Sequence, residues 1–248
     1  MSDVWKSYLC RVNGSLASIR FDLGVRGEVP VGSKPWLLWV WLYFKTPRPD
    51  GLSASNEAPT LFTIEDALTP ELSRRCGAIF CCAITTKGRR EFYYYGETRE
   101  RYREAIAAAM ARFQGYEFDA GDKEDPLWEQ YLDVLYPSTE DLERIKNRDL
   151  LDVLEGKGDV LTVVREVRHW IYFRSAGSRD SFREAAVKLG YKIGSQMDGD
   201  GSTPFGLTVL RDQSVEQETA DAIVLELLRL AQQFQGEYDG WETPIVTQ

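Results

Sequence analysis

The sequence predicts an α+β protein: two ferredoxin-like βαββαβ units in tandem, joined by a helical linker. Three observations carry this prediction. The order strand, helix, strand, strand, helix, strand is legible twice, from Trp36 and again after Val160. The last helix of each half ends on the same phrase, Phe113-Gln114-Gly115 and Phe234-Gln235-Gly236. The strand-helix stretch from Glu91 to Ala105 also resembles that from His169 to Ala185, with two extra residues in the second loop. Internal self-similarity of this kind says more about architecture than propensity does. The implied domains are 1–121, a linker over 122–157, and 158–248.

The elements follow in chain order. Residues 15–25 and 36–45 are apolar and rich in strand formers. The nine-residue apolar run from Trp36 to Phe44 fits a buried strand and is too short to cross a bilayer, which takes roughly 18 residues. Residues 46–61 form a Pro/Ser/Gly-rich connection, and a helix follows over about 63–75. Residues 77–86 and 90–96 read as a hairpin around Lys87-Gly88. The next helix covers about 98–113, with Thr98 as its N-cap, and residues 116–120 make a short strand.

Asp125 and Pro126 suit the start of a bridging helix. Trp128, Tyr131, Leu132 and Leu135 then share one face. Ser138 starts a second bridging helix, with Leu142, Ile145 and Leu150 toward a core and Gly156 and Gly158 at its end. In the second half, Leu161 to Phe173 is a strand and Ser178 caps a helix ending near Gly190. Strands over 191–197 and 205–212 flank a turn-rich loop, and Ser214 caps a long helix to about Phe234. Glu237 to Val246 closes the sheet, with Gly240 marking a bulge or a close backbone approach.

Composition bounds the function. The chain has 248 residues, 43% hydrophobic and 28% charged, enough for a substantial core and against wholesale disorder. Its N-terminus lacks the basic-then-apolar order of a signal peptide, so a cytoplasmic setting is expected. Four cysteines are too few for a stapled fold and read as thiols. The formal net charge of −9 is concentrated: residues 117–159 hold 14 acidic and 5 basic side chains. That balance disfavours free nucleic acid as the main partner and favours a basic protein segment.

Chemistry-bearing motifs are sparse. Phosphate-binding glycine loops, a nucleophile elbow and a His-Glu-x-x-His pair are all missing. The single histidine, His169, shares a strand face with apolar residues and reads as a core histidine with a satisfied ring. Cys81 and Cys82 are neighbours on a strand, point to opposite faces and read as packing residues. Asp198, Asp200 and Ser202 begin like a calcium loop, but Thr203 and Val209 break the pattern at its sixth and twelfth positions. No metal or cofactor is implied.

Three function classes remain. A protein-binding regulator would use Trp128, Glu129, His169, Tyr238, Asp239, Trp241 and Glu242, with the aromatics as anchors and the acids steering a basic partner. An RNA-binding protein would instead stack bases on an aromatic strand beside basic residues, here Lys87, Arg89, Arg90, Phe92 and Tyr94. An enzyme would need paired carboxylates, for which Asp125, Glu129, Asp239 and Glu242 are the candidates.

The stretch from Gly158 to Trp241 resembles the RraB family, bacterial regulators of ribonuclease E activity. The matching residues are Gly158-Asp159, the strand Arg165 to Phe173 with His169, Phe182 and Ala185, Gly190-Tyr191, and the closing Gly236-Glu237-Tyr238-Asp239-Gly240-Trp241. The N-terminal half is similar to a bacterial family of unknown function. The matching residues there include Trp5, Tyr8, Asp50-Gly51-Leu52, Thr85 to Tyr95, Asp125-Pro126 with Trp128 and Tyr131, and Leu135-Tyr136-Pro137-Ser138. The resemblance implies a ferredoxin-like fold, a cytoplasmic setting, and non-catalytic binding to ribonuclease E that retunes RNA cleavage.

Overall fold

A computed structural model describes residues 4–247. The chain forms two compact units, Met1–Pro137 and Ser138–Gln248. In the first, β1 (Trp5–Val12) and β2 (Ser15–Asp22) form a hairpin, followed by a 3₁₀ turn (Leu23–Gly27) and β3 (Trp36–Tyr43). Then come α1 (Ala58–Cys76), β4 (Ile79–Thr86), β5 (Arg89–Gly96), α2 (Tyr102–Met110) and β6 (Phe118–Glu124). The sheet order is β1-β2-β4-β5-β3-β6, antiparallel at every pairing. Its last four strands have the ferredoxin-like order, with β1–β2 added on the β4 edge.

The second unit holds α3 (Thr139–Gly156), β7 (Arg165–Phe173), α4 (Ala176–Lys188), β8 (Lys192–Asp198), β9 (Phe205–Gln213), α5 (Gln217–Gln233) and β10 (Gly236–Glu242). Its sheet runs β10-β7-β9-β8, again antiparallel and in ferredoxin-like order. The two-unit α+β fold is therefore as the sequence predicts.

Strand periodicity sets both cores. In the first unit Leu38, Val40, Leu42, Phe92 and Tyr94 face α1 and α2. In the second, Ile171, Phe173, Leu207 and Val209 face α4 and α5. The first unit also covers part of its other sheet face. Trp128 stacks on Tyr95 at 3.8 Å with 7° between the rings, and Tyr131 sits edge-on to Trp128.

Several boundaries differ from the expectation. The span 122–157 divides between the units: β6 and a π-helical turn, Gln130–Leu135, complete the first, while α3 packs along α5 in the second. Each piece carries an apolar stripe that needs its own sheet or helix to bury it. Strand β1 arises outside the segments read as strands, because its side chains toward the helical layer are largely exposed and its alternation is blurred. Helix α4 is capped by Ser175, whose Oγ accepts from the Ser178 amide at 3.1 Å, so Ser178 is inside the helix. Ser214 lies ahead of α5, whose N-cap is Glu216. The two Phe-Gln-Gly phrases also diverge. Gly115 takes the left-handed conformation in the first (φ 79°), whereas in the second Gln235 does (φ 57°), and Gly236 starts β10 directly against the Phe173 ring.

Candidate functional site

The residues the sequence singles out in the second unit converge at the β10–β7 edge. Tyr238 pairs with Ile171, Trp241 with His169 and Glu242 with Arg168. Between Tyr238 and Gly240 the register shifts, leaving Asp239 as the bulged residue, and Gly240 has φ 124°. The bulge expected at Gly240 is thus present. It matters because it lets Tyr238 and Trp241, three apart, both point toward the helices.

His169 is fully buried. Its Nδ1 lies 2.9 Å from the Tyr238 hydroxyl, and its Nε2 has no partner among the described residues. Burial, with a smaller contribution from the Arg211 charge, pushes its pKa down to about 3. The ring is therefore neutral at neutral pH and closed to solvent, an arrangement suited to packing and not to proton exchange with a substrate. Burial likewise pushes the Tyr238 phenol up. Trp241 donates from Nε1 to Asn147 Oδ1 at 2.8 Å, and Asn147 Nδ2 donates to Asp221 Oδ1 at 2.8 Å. One α3 residue therefore ties β10 to α5.

At the start of the unit, Asp159 and Arg165 form a buried pair at 2.7 Å, and Asp159 also accepts from the Val246 amide at 2.8 Å. Asp239, Glu242 and Glu237 are exposed along β10, the edge strand of this sheet. Glu242 is 3.4 Å from Arg168 and Glu237 is 3.9 Å from Arg174, loose pairs in open solvent.

Trp128 and Glu129 belong to the first unit and take different roles. Trp128 is completely buried, so it is a core residue and not an exposed anchor. Glu129 is exposed, and its amide donates to Asp125 Oδ1 at 3.0 Å. Asp125 also accepts from the Gln130 amide and, at 2.5 Å, from the Tyr95 hydroxyl. It is thus fully occupied in holding the turn that positions Trp128, and the paired-carboxylate reading of Asp125 has no free acid to use.

The aromatic strand β5 does not present a base-stacking face. Phe92 and Tyr94 are buried against the helices, and Arg90 is only 6% exposed. Arg90 pairs with Glu65 at 2.9 Å, and Arg89 pairs with Glu91 and lies 4.0 Å over the Trp41 ring. Of the five basic and aromatic residues, Lys87 alone is openly exposed. The pattern misleads because Arg90, Phe92 and Tyr94 lie on the face that α1 and α2 cover, while the opposite face carries Tyr93 and Tyr95, which are also buried. Cys81 and Cys82 are buried free thiols, both pushed up by burial. No cluster of metal-ligating side chains occurs among the described residues, and Asp198 is held by Arg179 at 2.5 Å.

Asn147, Arg20 and Glu65 were not singled out in the sequence. The available signal for Asn147 was a polar residue sharing a helix stripe with Ile145, Leu151 and Leu154, all buried.

The fold and site define a two-unit α+β protein whose second unit is a small four-stranded sheet with a buried histidine and an acidic edge. Residues 3–136 match the model described as a family of unknown function (DUF695), and the chain belongs to that family. Residues 144–243 match the model of the family described as regulator of ribonuclease activity B. The chain is similar to a protein named regulator of ribonuclease activity B from Pantoea ananatis (strain LMG 20103). The two are 28% identical over 107 residues, which is 41% of this chain and 74% of that protein. A crystal structure of an unknown protein from Galdieria sulphuraria aligns over 83% of this chain and 96% of its own. Its identity is 9% and its TM-score 0.21, a likeness that carries no weight for the fold. Among the described residues no helix is long and apolar enough to cross a membrane.

Proposed function

We propose that the protein is a regulator that binds a ribonuclease of the E type through its second unit and retunes RNA cleavage without taking part in the chemistry. The observation that carries this reading is the match of residues 144–243 to the regulator of ribonuclease activity B model. The geometry of the unit is in keeping with it. The one histidine is sealed in the core, while the β10 edge presents Glu237, Asp239 and Glu242 to solvent. An acidic edge strand suits a basic, extended segment of a partner: main-chain groups supply pairing and the carboxylates steer the encounter. The RNA-binding alternative loses its platform with Phe92 and Tyr94 in the core.

The test is calorimetric titration of the full chain with ribonuclease E of the same organism, alongside its RNA-cleavage rate with and without the chain. Saturable binding at low salt, weakened as salt rises, together with an altered cleavage rate is expected. No binding at low salt and an unchanged rate would remove the ribonuclease reading.

A further inference from the structure

Three side chains under α1 hold charge that the proposed function does not use. Arg20 on β2 and Arg90 on β5 both reach Glu65 on α1, one to each carboxylate oxygen. Two guanidinium groups therefore share one carboxylate. Each carries five N–H donors, and in each the bond to Glu65 is the hydrogen bond made among the described residues. The Nε of each is buried and lacks a partner. Arg90 is 6% exposed, so its unmet donor is in the interior, where an unpartnered polar group is costly. Burial lowers the Arg90 pKa, and the nearby Arg20 charge lowers it further.

The surroundings give the cluster a shape. Sheet register places Leu9, Ser18, Thr85 and Arg90 in one cross-strand row on the helix side, with Arg20 in the adjacent row. Two hydroxyls thus lie beside the two arginines. Arg20 lies 4.5 Å over the Trp5 ring and 5.8 Å from Phe62, and Arg90 lies 4.5 Å over Phe62. The Arg20 side chain is 29% exposed, and Phe62 is 45% exposed, so the cluster opens to solvent at that rim. Asp66, the other carboxylate near Glu65, is exposed.

We infer that this cluster is an oxyanion site: a phosphate or carboxylate group binds at the Arg20 rim and neutralises the surplus guanidinium charge, with Ser18 and Thr85 as hydroxyl donors. A bound oxyanion gives the solvent-facing N–H groups of Arg20, whose side chain is 29% exposed, an acceptor and relieves the Arg20–Arg90 repulsion. Arginine is suited to this because its planar fork matches both phosphate and carboxylate.

The site is tested on the full chain by following the arginine Nε–H resonances while inorganic phosphate or acetate is added against sodium chloride at constant ionic strength. Saturable shifts of the Arg20 and Arg90 signals are expected, with half-saturation on the order of 1–10 mM, as for a weak single-group ligand. Saturation by phosphate alone assigns a phosphate ligand, and by acetate alone a carboxylate. Arg20→Gln should weaken binding by about tenfold or more, and Arg20→Lys by less, since the charge stays while the fork is lost. Backbone amide spectra establish that both variants are folded. Shifts no different from those in chloride, or saturable binding that survives Arg20→Gln unchanged, would overturn the assignment.

Discussion

Trp241 on the last strand and Asn147 on α3 are joined by a 2.8 Å hydrogen bond, so the helix that leads into the second unit is built into the site. Asn147 is 2% exposed and donates in turn to Asp221. Asn147→Ala would leave the part-buried Trp241 N–H without its acceptor, while Asp221 keeps the Gln217 side-chain amide as a donor. A loss of about 1–3 kcal/mol is expected, the cost of one stranded group. It would be read as a lower denaturation midpoint for the second unit. A variant as stable as the parent would show that α3 is not integral to that unit.

His169 makes the second unit sensitive to acid. Its folded pKa, about 3, lies below its ordinary value of 6.5, so the unfolded chain binds the proton more readily. The sign follows: above the ordinary value His169 costs nothing, and stability falls as pH drops from there toward 3. The total loss is several kcal/mol, at about 1.4 kcal/mol per pKa unit. His169→Gln, neutral throughout, should show a flatter pH dependence of stability between those limits. Parallel curves for parent and variant would mean that the ring is hydrated or paired in the folded state.

Trp128 tests the first unit. It is fully buried, stacks on Tyr95 and holds a left-handed backbone conformation at φ 58°. Trp128→Ala should destabilise the first unit by about 3–5 kcal/mol, as large core truncations do, while leaving the second unit's transition in place. Partner binding reduced by Trp128→Ala with stability intact would instead return this residue to the surface role the sequence assigns it.

These three residues also mark how far the sequence is legible. The repeated order and the repeated Phe-Gln-Gly phrase were enough for two ferredoxin-like units, because apolar alternation is a direct imprint of burial. The burial of His169 was legible on the same grounds, from its place among Val167 and Ile171. Partnership was not. Trp128 and Trp241 have the same side chain beside acidic neighbours, yet one is core and the other half-buried at an edge. What separates them is Tyr95, distant in sequence, whose ring meets Trp128 and whose hydroxyl donates to Asp125. Arg90, Phe92 and Tyr94 were misread for a related reason: alternation gives two faces but does not say which one the helices cover.

The β10 edge makes the sharpest test of the proposed function. Glu242 is 57% exposed in its side chain, and Asp239 sits in the bulge with no ion-pair partner among the described residues. Reversing both, Asp239→Lys with Glu242→Lys, changes the edge charge by four units at solvated positions, so folding should be little affected. If a basic segment of the ribonuclease adds along β10, association should weaken by about tenfold or more at low salt, since like charges at an encounter surface repel. The difference should shrink at high salt, because the screening length falls from about 10 Å at 0.1 M to about 3 Å at 1 M. Association that ignores both the reversal and the salt, measured by the same calorimetry, would keep the partner but move its binding surface away from β10.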